Sequence, residues 1–328
     1  MNYRVLGKTG YKISEISLGT WQVGGPWGSN FNEKNAIEII NNAIDNGVNF
    51  IDTADVYSDG LSERVVGKVV KSRSEKIYVA TKCGRRLNPH TKEGYNKENI
   101  RGFIEDSLRN TGLETLDLIQ LHCPPSEVYH KNEVFETLSK LKEEGKILNY
   151  GVSVEKVSEA LKAIEYPELA TVQIIFNMFR QKPAEVFFKA AKDKNIGVIV
   201  RVPLASGLLT GKFNTSTKFE AADHRHFNRN GEAFDKGETF SGVDYNLGLN
   251  AVEELKKLFL GRETLSSYAL KWILTQDAVS CIIPGASSKE QAEKNIKASN
   301  IAPLTLEELK KVEGIYNEFV RPSVHDLW

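Results

Sequence analysis

The run Val48-Asn49-Phe50-Ile51-Asp52-Thr53 is short, mostly apolar and closes on a carboxylate, and seven other runs in the chain have the same character. They are Ile16–Gly19, Ile77–Lys82, Leu116–His122, Tyr150–Ser153, Thr171–Asn177, Gly197–Pro203 and Val279–Pro284. Near-continuous β-branched runs of this length, separated by helical patterns, predict parallel strands buried on both faces. Helical spacing fills the intervals. Ile37, Ile40 and Ile44 precede a stop at Gly47, and Ile100, Phe103, Ile104 and Leu108 follow Asn96. A third pattern runs from Val134 to Gly145, and Pro183 opens Ala184–Lys192 as a first-turn proline. Run ends at 20, 52, 82, 122, 153, 173, 201 and 284 stand 20 to 40 residues apart except for the last interval, so each fits one βα unit. The excess falls in Gly207–Gly248, rich in Gly, Asn, Asp and Ser, which predicts a long functional loop. With a hairpin over Tyr3–Ile13 and a final helix over Leu304–Phe319, the expected fold is α/β. It is a (β/α)8 TIM barrel with an N-terminal β-hairpin, a long loop after strand 7 and an extra C-terminal helix, one domain over residues 1–328.

A doubly wound sheet is the alternative, and it would carry a glycine fingerprint after its first strand. Gly24–Gly28 lacks the GxGxxG spacing. Gly207–Lys212 superficially looks like a phosphate loop, but three residues rather than four separate its glycines, and Phe213 stands where Ser or Thr should follow the lysine. Composition narrows the function further. The 328 residues hold 43 Lys+Arg against 43 Asp+Glu, a balance that argues against a generally basic nucleic-acid binder. No apolar run reaches the ~18–20 residues of a membrane span, and the first ten residues lack a signal peptide's apolar core. Cys83, Cys123 and Cys281 form no CxxC, as expected for free thiols in a reducing cytoplasm. A cytoplasmic enzyme is the expectation, with neither a membrane nor a nucleic-acid partner.

In a barrel, polar residues at the C-terminal ends of strands are the catalytic candidates. Asp52, Lys82 and His122 end three successive runs, which places them side by side at one mouth, and Tyr57 follows in the loop Ala54-Asp55-Val56-Tyr57-Ser58-Asp59-Gly60. A free tyrosine has a pKa of about 10. A nearby ammonium lowers it, and a carboxylate keeps a buried lysine charged, so Asp52 and Lys82 form a plausible tuning pair for Tyr57. With His122 orienting a substrate oxygen, the set is a device for protonating an oxygen that gains negative charge, such as a carbonyl under reduction. Taken singly, each has a plainer reading: a helix cap for Asp52, a surface charge for Lys82, a loop aromatic for Tyr57, a core histidine for His122. Their grouping at adjacent strand ends favours chemistry. His224-Arg225-His226 lacks a third metal ligand, so no metal is expected. Strand alternation would turn Cys83 and Cys123 away from the mouth.

The segment Phe50-Ile51-Asp52-Thr53-Ala54-Asp55-Val56-Tyr57, with Ser62-Glu63 and Gly67, resembles the signature of the aldo-keto reductase superfamily. Leu6–Gly10, Leu18–Trp21, Ala80–Lys82, Leu116–His122, Gly151–Ser153, Pro203–Lys212 and Ile283–Ser287 through Gln291 and Asn295 extend the resemblance over almost the whole chain. The branch most similar is the bacterial one related to potassium-channel β-subunits. The resemblance implies an oxidoreductase that reduces an aldehyde or ketone to an alcohol with NADP(H), with Tyr57 as general acid, Asp52 and Lys82 as its tuning pair and His122 orienting the carbonyl. It assigns Ser153 and Gln173 to the cofactor's carboxamide and Thr20 and Trp21 to the first-strand side. Pro203, Leu204, Ser206 and Lys212 would follow the pyrophosphate and ribose. Gly285, Ser287, Gln291 and Asn295 would hold the adenosine end, and Arg225 would be a phosphate contact on a loop that folds over the cofactor. Arg201 stands where many relatives stack an aromatic ring on the nicotinamide. Trp21, Trp27, Tyr57, His122 and Tyr129 are the expected walls of the small-molecule carbonyl pocket. The competing reading is a cofactor-binding regulatory or sensor subunit, and His122 tilts against it, because the channel subunits carry asparagine there. Homo-oligomerisation is left open.

Overall fold

The computed structural model describes residues 1–25 and 30–328. Eight parallel strands lie in chain order, each bonded to the next: β3 (Leu18–Gly19), β4 (Phe50–Asp52), β5 (Tyr78–Cys83), β6 (Leu118–His122), β7 (Tyr150–Ser153), β8 (Thr171–Ile175), β9 (Gly197–Arg201) and β10 (Val279–Ile282). The ring closes between the first and last of these. Ile16 bridges Ile282 and Gly19 bridges Gly285, and the Ser17 amide donates to the Ile282 carbonyl at 2.9 Å. The expected barrel is the observed one. Before it, β1 (Tyr3–Val5) and β2 (Lys12–Ser14) form the antiparallel hairpin.

Each strand leads to a helix with a buried apolar face. These are α1 (Glu33–Asp45), α2 (Leu61–Ser72), α3 (Lys97–Thr111), α4 (Asn132–Glu143), α5 (Val157–Ala163) and α6 (Phe187–Asp193). Asn32 and Asn96 cap the first and third through side-chain oxygens that accept from the N3 amides at 3.0 Å. Gly67 explains how α2 and α3 pack so closely: a Cβ there would stand 1.8 Å from the Thr111 carbonyl oxygen. After β9 comes the long loop, with a short helix α7 (His224–Phe227), then α8 (Tyr245–Leu258) and α9 (Leu265–Ile273). The last interval therefore holds a whole extra helix as well as a loop. Asp244 starts it inside the stretch expected to be irregular, its carboxylate accepting from the Asn246 and Leu247 amides at 2.9 and 3.1 Å. After β10, α10 (Lys289–Lys297) completes the eighth unit. The final helix, α11 (Leu306–Ile315), passes through a π-helical turn at Tyr316–Val320 into α12 (Arg321–Val324). No described helix is long and apolar enough to cross a membrane.

Alternation along the strands builds the barrel's interior in layers. The lower layer is apolar: Phe50, Ala80, Leu118, Ile199 and Cys281 pack with Leu6 and Ile13, so the hairpin plugs that end. One step up each strand, the inward positions become Asp52, Lys82, Gln120, Gln173 and Arg201, all buried. Polar chemistry is thus confined to the C-terminal mouth.

Candidate active site

Asp52 ends β4 and Lys82 is the next-to-last residue of β5, and the two strands pair directly. The Lys82 ammonium, 1% exposed, donates to Asp52 Oδ1, to the Thr53 carbonyl at 2.9 Å and to the Tyr57 hydroxyl at 3.3 Å. Burial alone would discharge this lysine. The Asp52 carboxylate and the Tyr57 oxygen outweigh burial and raise its pKa above the ordinary value. Asp52 Oδ2 accepts from Gln173 Nε2 at 2.8 Å and Gln120 Nε2 at 3.2 Å, so both carboxylate oxygens are fixed.

Tyr57 is half-buried beside Trp21, with ring centroids 6.3 Å apart, and meets the edge of His122 at 6.0 Å. Lys82 acts on the phenol in the expected direction, but burial outweighs it. Burial pushes the phenol's pKa up, and Lys82 only opposes that rise. The tyrosine is therefore protonated at neutral pH, while the ammonium favours the phenolate and limits the rise. His122 is held well below its ordinary pKa by burial, then by Arg85, Lys82 and Arg201, so it is neutral. Its Nδ1 is buried without a hydrogen-bond partner.

Above this group lies a charged network that sequence reasoning missed except for Arg201. Arg201 Nη2 meets Glu155 at 2.8 Å, and its Nη1 meets Glu238 at 3.5 Å. Arg85 bonds Glu238 and stands 3.4 Å from Glu155. Glu238 belongs to the long loop, so the loop is anchored to the barrel by two guanidinium groups. Ser206 reinforces the anchor by donating to the Glu238 carbonyl at 2.9 Å and accepting from the Phe240 amide at 3.1 Å. Burial pushes Glu238 up, but Arg85 and Arg201 overcome it and hold the carboxylate ionised. Arg201 thereby faces two carboxyl groups, the ionised Glu238 and Glu155, which burial pushes up to about 8.

The remaining expected residues fall into three groups. Ser153 lies at the mouth, its Oγ 3.4 Å from Cys123 Sγ, while Gln173 reaches Asp52. At the far end, Gln291 Oε1 accepts from Ser287 N and Oγ at 2.9 and 3.1 Å, and Asn295 Nδ2 donates to the Gly285 carbonyl at 3.2 Å. These two pairs tie the segment before α10 to its first and last turns. Lys212 is exposed, and Pro203 and Leu204 lead into the turn at Ala205–Thr210. Arg225 donates to Asp223 at 2.9 and 2.6 Å, and a Cβ on Gly207 would stand 3.6 Å from its Nη1, which places it beside that turn. Thr20 faces inward, donating to the Asp52 carbonyl at 3.0 Å. Tyr129 is fully buried, and its hydroxyl donates to the Ser153 carbonyl at 3.3 Å. Trp27 lies outside the described residues. Cys123 does not turn away as alternation suggested. The strand ends at His122, Cys123 takes φ +49°, and its sulfur accepts from Arg201 Nη2 at 3.4 Å.

Behind Tyr57, Asp55 is buried with neither carboxylate oxygen hydrogen-bonded, 4.0 Å from Arg86. Burial and then Glu63 push its pKa up to about 7. A carboxyl whose folded pKa lies above the unfolded value loses stability as pH rises between the two, and the loss persists above about 7. Asp55→Asn removes that loss. The variant is expected to gain ~1–3 kcal/mol on wild type between about pH 5 and about pH 8, read from urea unfolding at both. An equal difference at the two pH values would sink this.

The aldo/keto reductase family profile matches residues 15–317. The chain is 31% identical over 318 residues to an uncharacterized oxidoreductase of Bacillus subtilis, YqkF, covering 96% of each chain. It is 32% identical over 339 residues to a putative voltage-gated potassium channel subunit beta of Schizosaccharomyces pombe, covering 96% of this chain and 93% of that one. Among solved structures, the glycerol dehydrogenase of Gluconobacter oxydans superposes with a TM-score of 0.78 at 31% identity, over 97% of this chain and 96% of that one. A matching profile over most of the length, relatives above 30% identity over nearly the whole chain and a matching barrel agree: the chain belongs to the aldo/keto reductase family.

Proposed function

We propose that this chain is an NADPH-dependent carbonyl reductase in which Tyr57 is the general acid. The observation that carries the reading is the hydrogen-bonded series Asp52–Lys82–Tyr57 ending edge-on against a neutral His122. The residues present fit a nicotinamide dinucleotide. Ser287 and Gln291 are bonded at a helix start, where backbone N–H groups favour anions, and Asn295 is bonded to Gly285. Arg225 and Ser206 flank the turn at Gly207, and Ser153 and Gln173 offer polar atoms at the mouth.

When bound, the nicotinamide would supply the hydride. The chain's own residues do the rest. His122, lacking a proton on one ring nitrogen, donates from the other to a substrate oxygen and fixes the carbonyl between itself and Tyr57. As negative charge develops on that oxygen, Tyr57, whose hydroxyl oxygen accepts from Lys82, gives it its proton. Lys82 then stabilises the phenolate, and Asp52 keeps Lys82 charged throughout. The ionic anchor at Glu238 holds the long loop against the mouth and limits water there.

The test is a panel of aldehydes and ketones followed by cofactor absorbance, with NADPH and NADH compared by fluorescence titration. NADPH is expected to bind at least about tenfold more tightly, a difference of ~1.4 kcal/mol. Equal affinities would remove the 2′-phosphate argument. Tight binding with no turnover on any carbonyl would favour the regulatory-subunit reading, which the similarity to channel subunits keeps alive.

A further inference from the structure

The turn that carries Tyr57 is conformationally demanding. Ser58, Asp59 and Gly60 follow it with φ of +47°, +53° and +80°, three left-handed residues in succession, two of them not glycine. The turn's own backbone bonds run from the Tyr57 amide to Ala54 at 3.1 Å, Asp59 to Val56 at 3.4 Å, Leu61 to Ser58 at 3.1 Å and Ser62 to Tyr57 at 3.4 Å. Two residues with side chains do not adopt such a turn unless the surroundings impose it.

One side chain grips this turn from both ends. Arg86 Nε and Nη2 donate to the Asp55 carbonyl at 3.2 and 2.8 Å, and Nη2 also donates to Asp59 Oδ1 at 2.7 Å. Asp55 and Asp59 lie two residues before and two after Tyr57, so a single planar group spans the segment. The neighbouring Arg85 points elsewhere, to Glu155 and Glu238. The same β5 segment thus supplies Lys82 to the phenol's oxygen and Arg86 to its backbone.

We propose that Arg86 is a positioning residue: by clamping the Asp55 carbonyl and the Asp59 carboxylate, it holds the Tyr57 hydroxyl in line with Lys82 and the substrate oxygen. The proposal rests on the reading of Tyr57 as general acid. Geometry rather than stability is what the clamp provides. Asp59 is 93% exposed and the Arg86 side chain 36% exposed, and an ion pair in that setting adds little to folding. A hydroxyl displaced by about 1 Å, however, loses on the order of a hundredfold in rate. Lysine could replace one of the two grips but not the fork that makes both.

The experiment compares Arg86→Ala, Arg86→Lys and Tyr57→Phe in the full chain. Arg86→Ala is expected to lower kcat roughly ten- to a hundredfold with the NADPH dissociation constant within about twofold of wild type. In the cofactor-free protein, amides of residues 58–61 should exchange faster, while the thermal midpoint barely moves. Arg86→Lys should recover part of the lost kcat. Wild-type kcat in Arg86→Ala overturns the proposal. So does a kcat loss that lysine leaves unrecovered and that comes with an equal fall in cofactor affinity. If Tyr57→Phe keeps wild-type turnover, the acid assignment itself fails. If it is inactive while Arg86→Ala is normal, only the positioning role fails.

Discussion

Tyr57→Phe is expected to lower carbonyl reduction at least about a hundredfold while leaving NADPH affinity within about twofold. The substitution removes one oxygen and keeps the ring, so the contacts with Trp21 and His122 remain. The bond lost is the 3.3 Å contact to Lys82, whose ammonium keeps its partners in Asp52 and Thr53. Folding should therefore be little affected, and the deficit should appear in kcat. Because burial already holds the phenol protonated, the wild-type acid is present in its working form across the neutral range. Wild-type turnover from Tyr57→Phe would end the assignment.

Lys82→Met should be damaging twice over. The side chain is buried among polar partners, and its loss strips Asp52 of its one bonded cation among the described residues, leaving a buried carboxylate with two glutamines. Breaking a buried pair from one side costs ~3–5 kcal/mol, which denaturant unfolding would register directly. Turnover should fall on the order of a hundredfold or more, because the phenolate would form without a neighbouring positive charge. Adding Asp52→Asn should restore much of the stability and none of the turnover. Normal stability and turnover with a weakened cofactor affinity would instead make Lys82 a binding residue.

Much of this was legible in the chain because strand chemistry is local. An apolar run ending in Asp, Lys or His declares both a strand and the side of the barrel where its last residue stands. Ser287, Gln291 and Asn295 were named through the family resemblance, and they lie in and just before α10. Gln120 carried a usable signal, lying two residues before His122 and therefore on the same inward face. Glu155 and Glu238 carried none. Their importance comes from meeting Arg85 and Arg201, and a pairing between a glycine-rich loop and two strand ends has no period in sequence. Cys123 was misread for a related reason, because alternation stops where the backbone turns left-handed. Helix α8 was hidden because Gly248 and the polar residues at its start look like loop. The direction of the Tyr57 shift depended on how deeply the loop buries the ring, which residue types alone do not fix.

A ring of strands laid down in order has one junction whose two edges cannot be close in sequence. Here that junction joins residues 16–19 to residues 282–285, more than 260 positions apart, and β3 contributes only two residues of regular strand to it. Seven of the eight strand registers can be set between neighbours as the chain collapses. The eighth waits for both extremities to arrive, and the entropy of that meeting is recovered by few hydrogen bonds. Thr20 and Trp21 follow one edge directly, and the Gly285–Ser287 segment continues the other. A molecule held by both would therefore bridge the junction, and binding it would fasten the ring as well as occupy it.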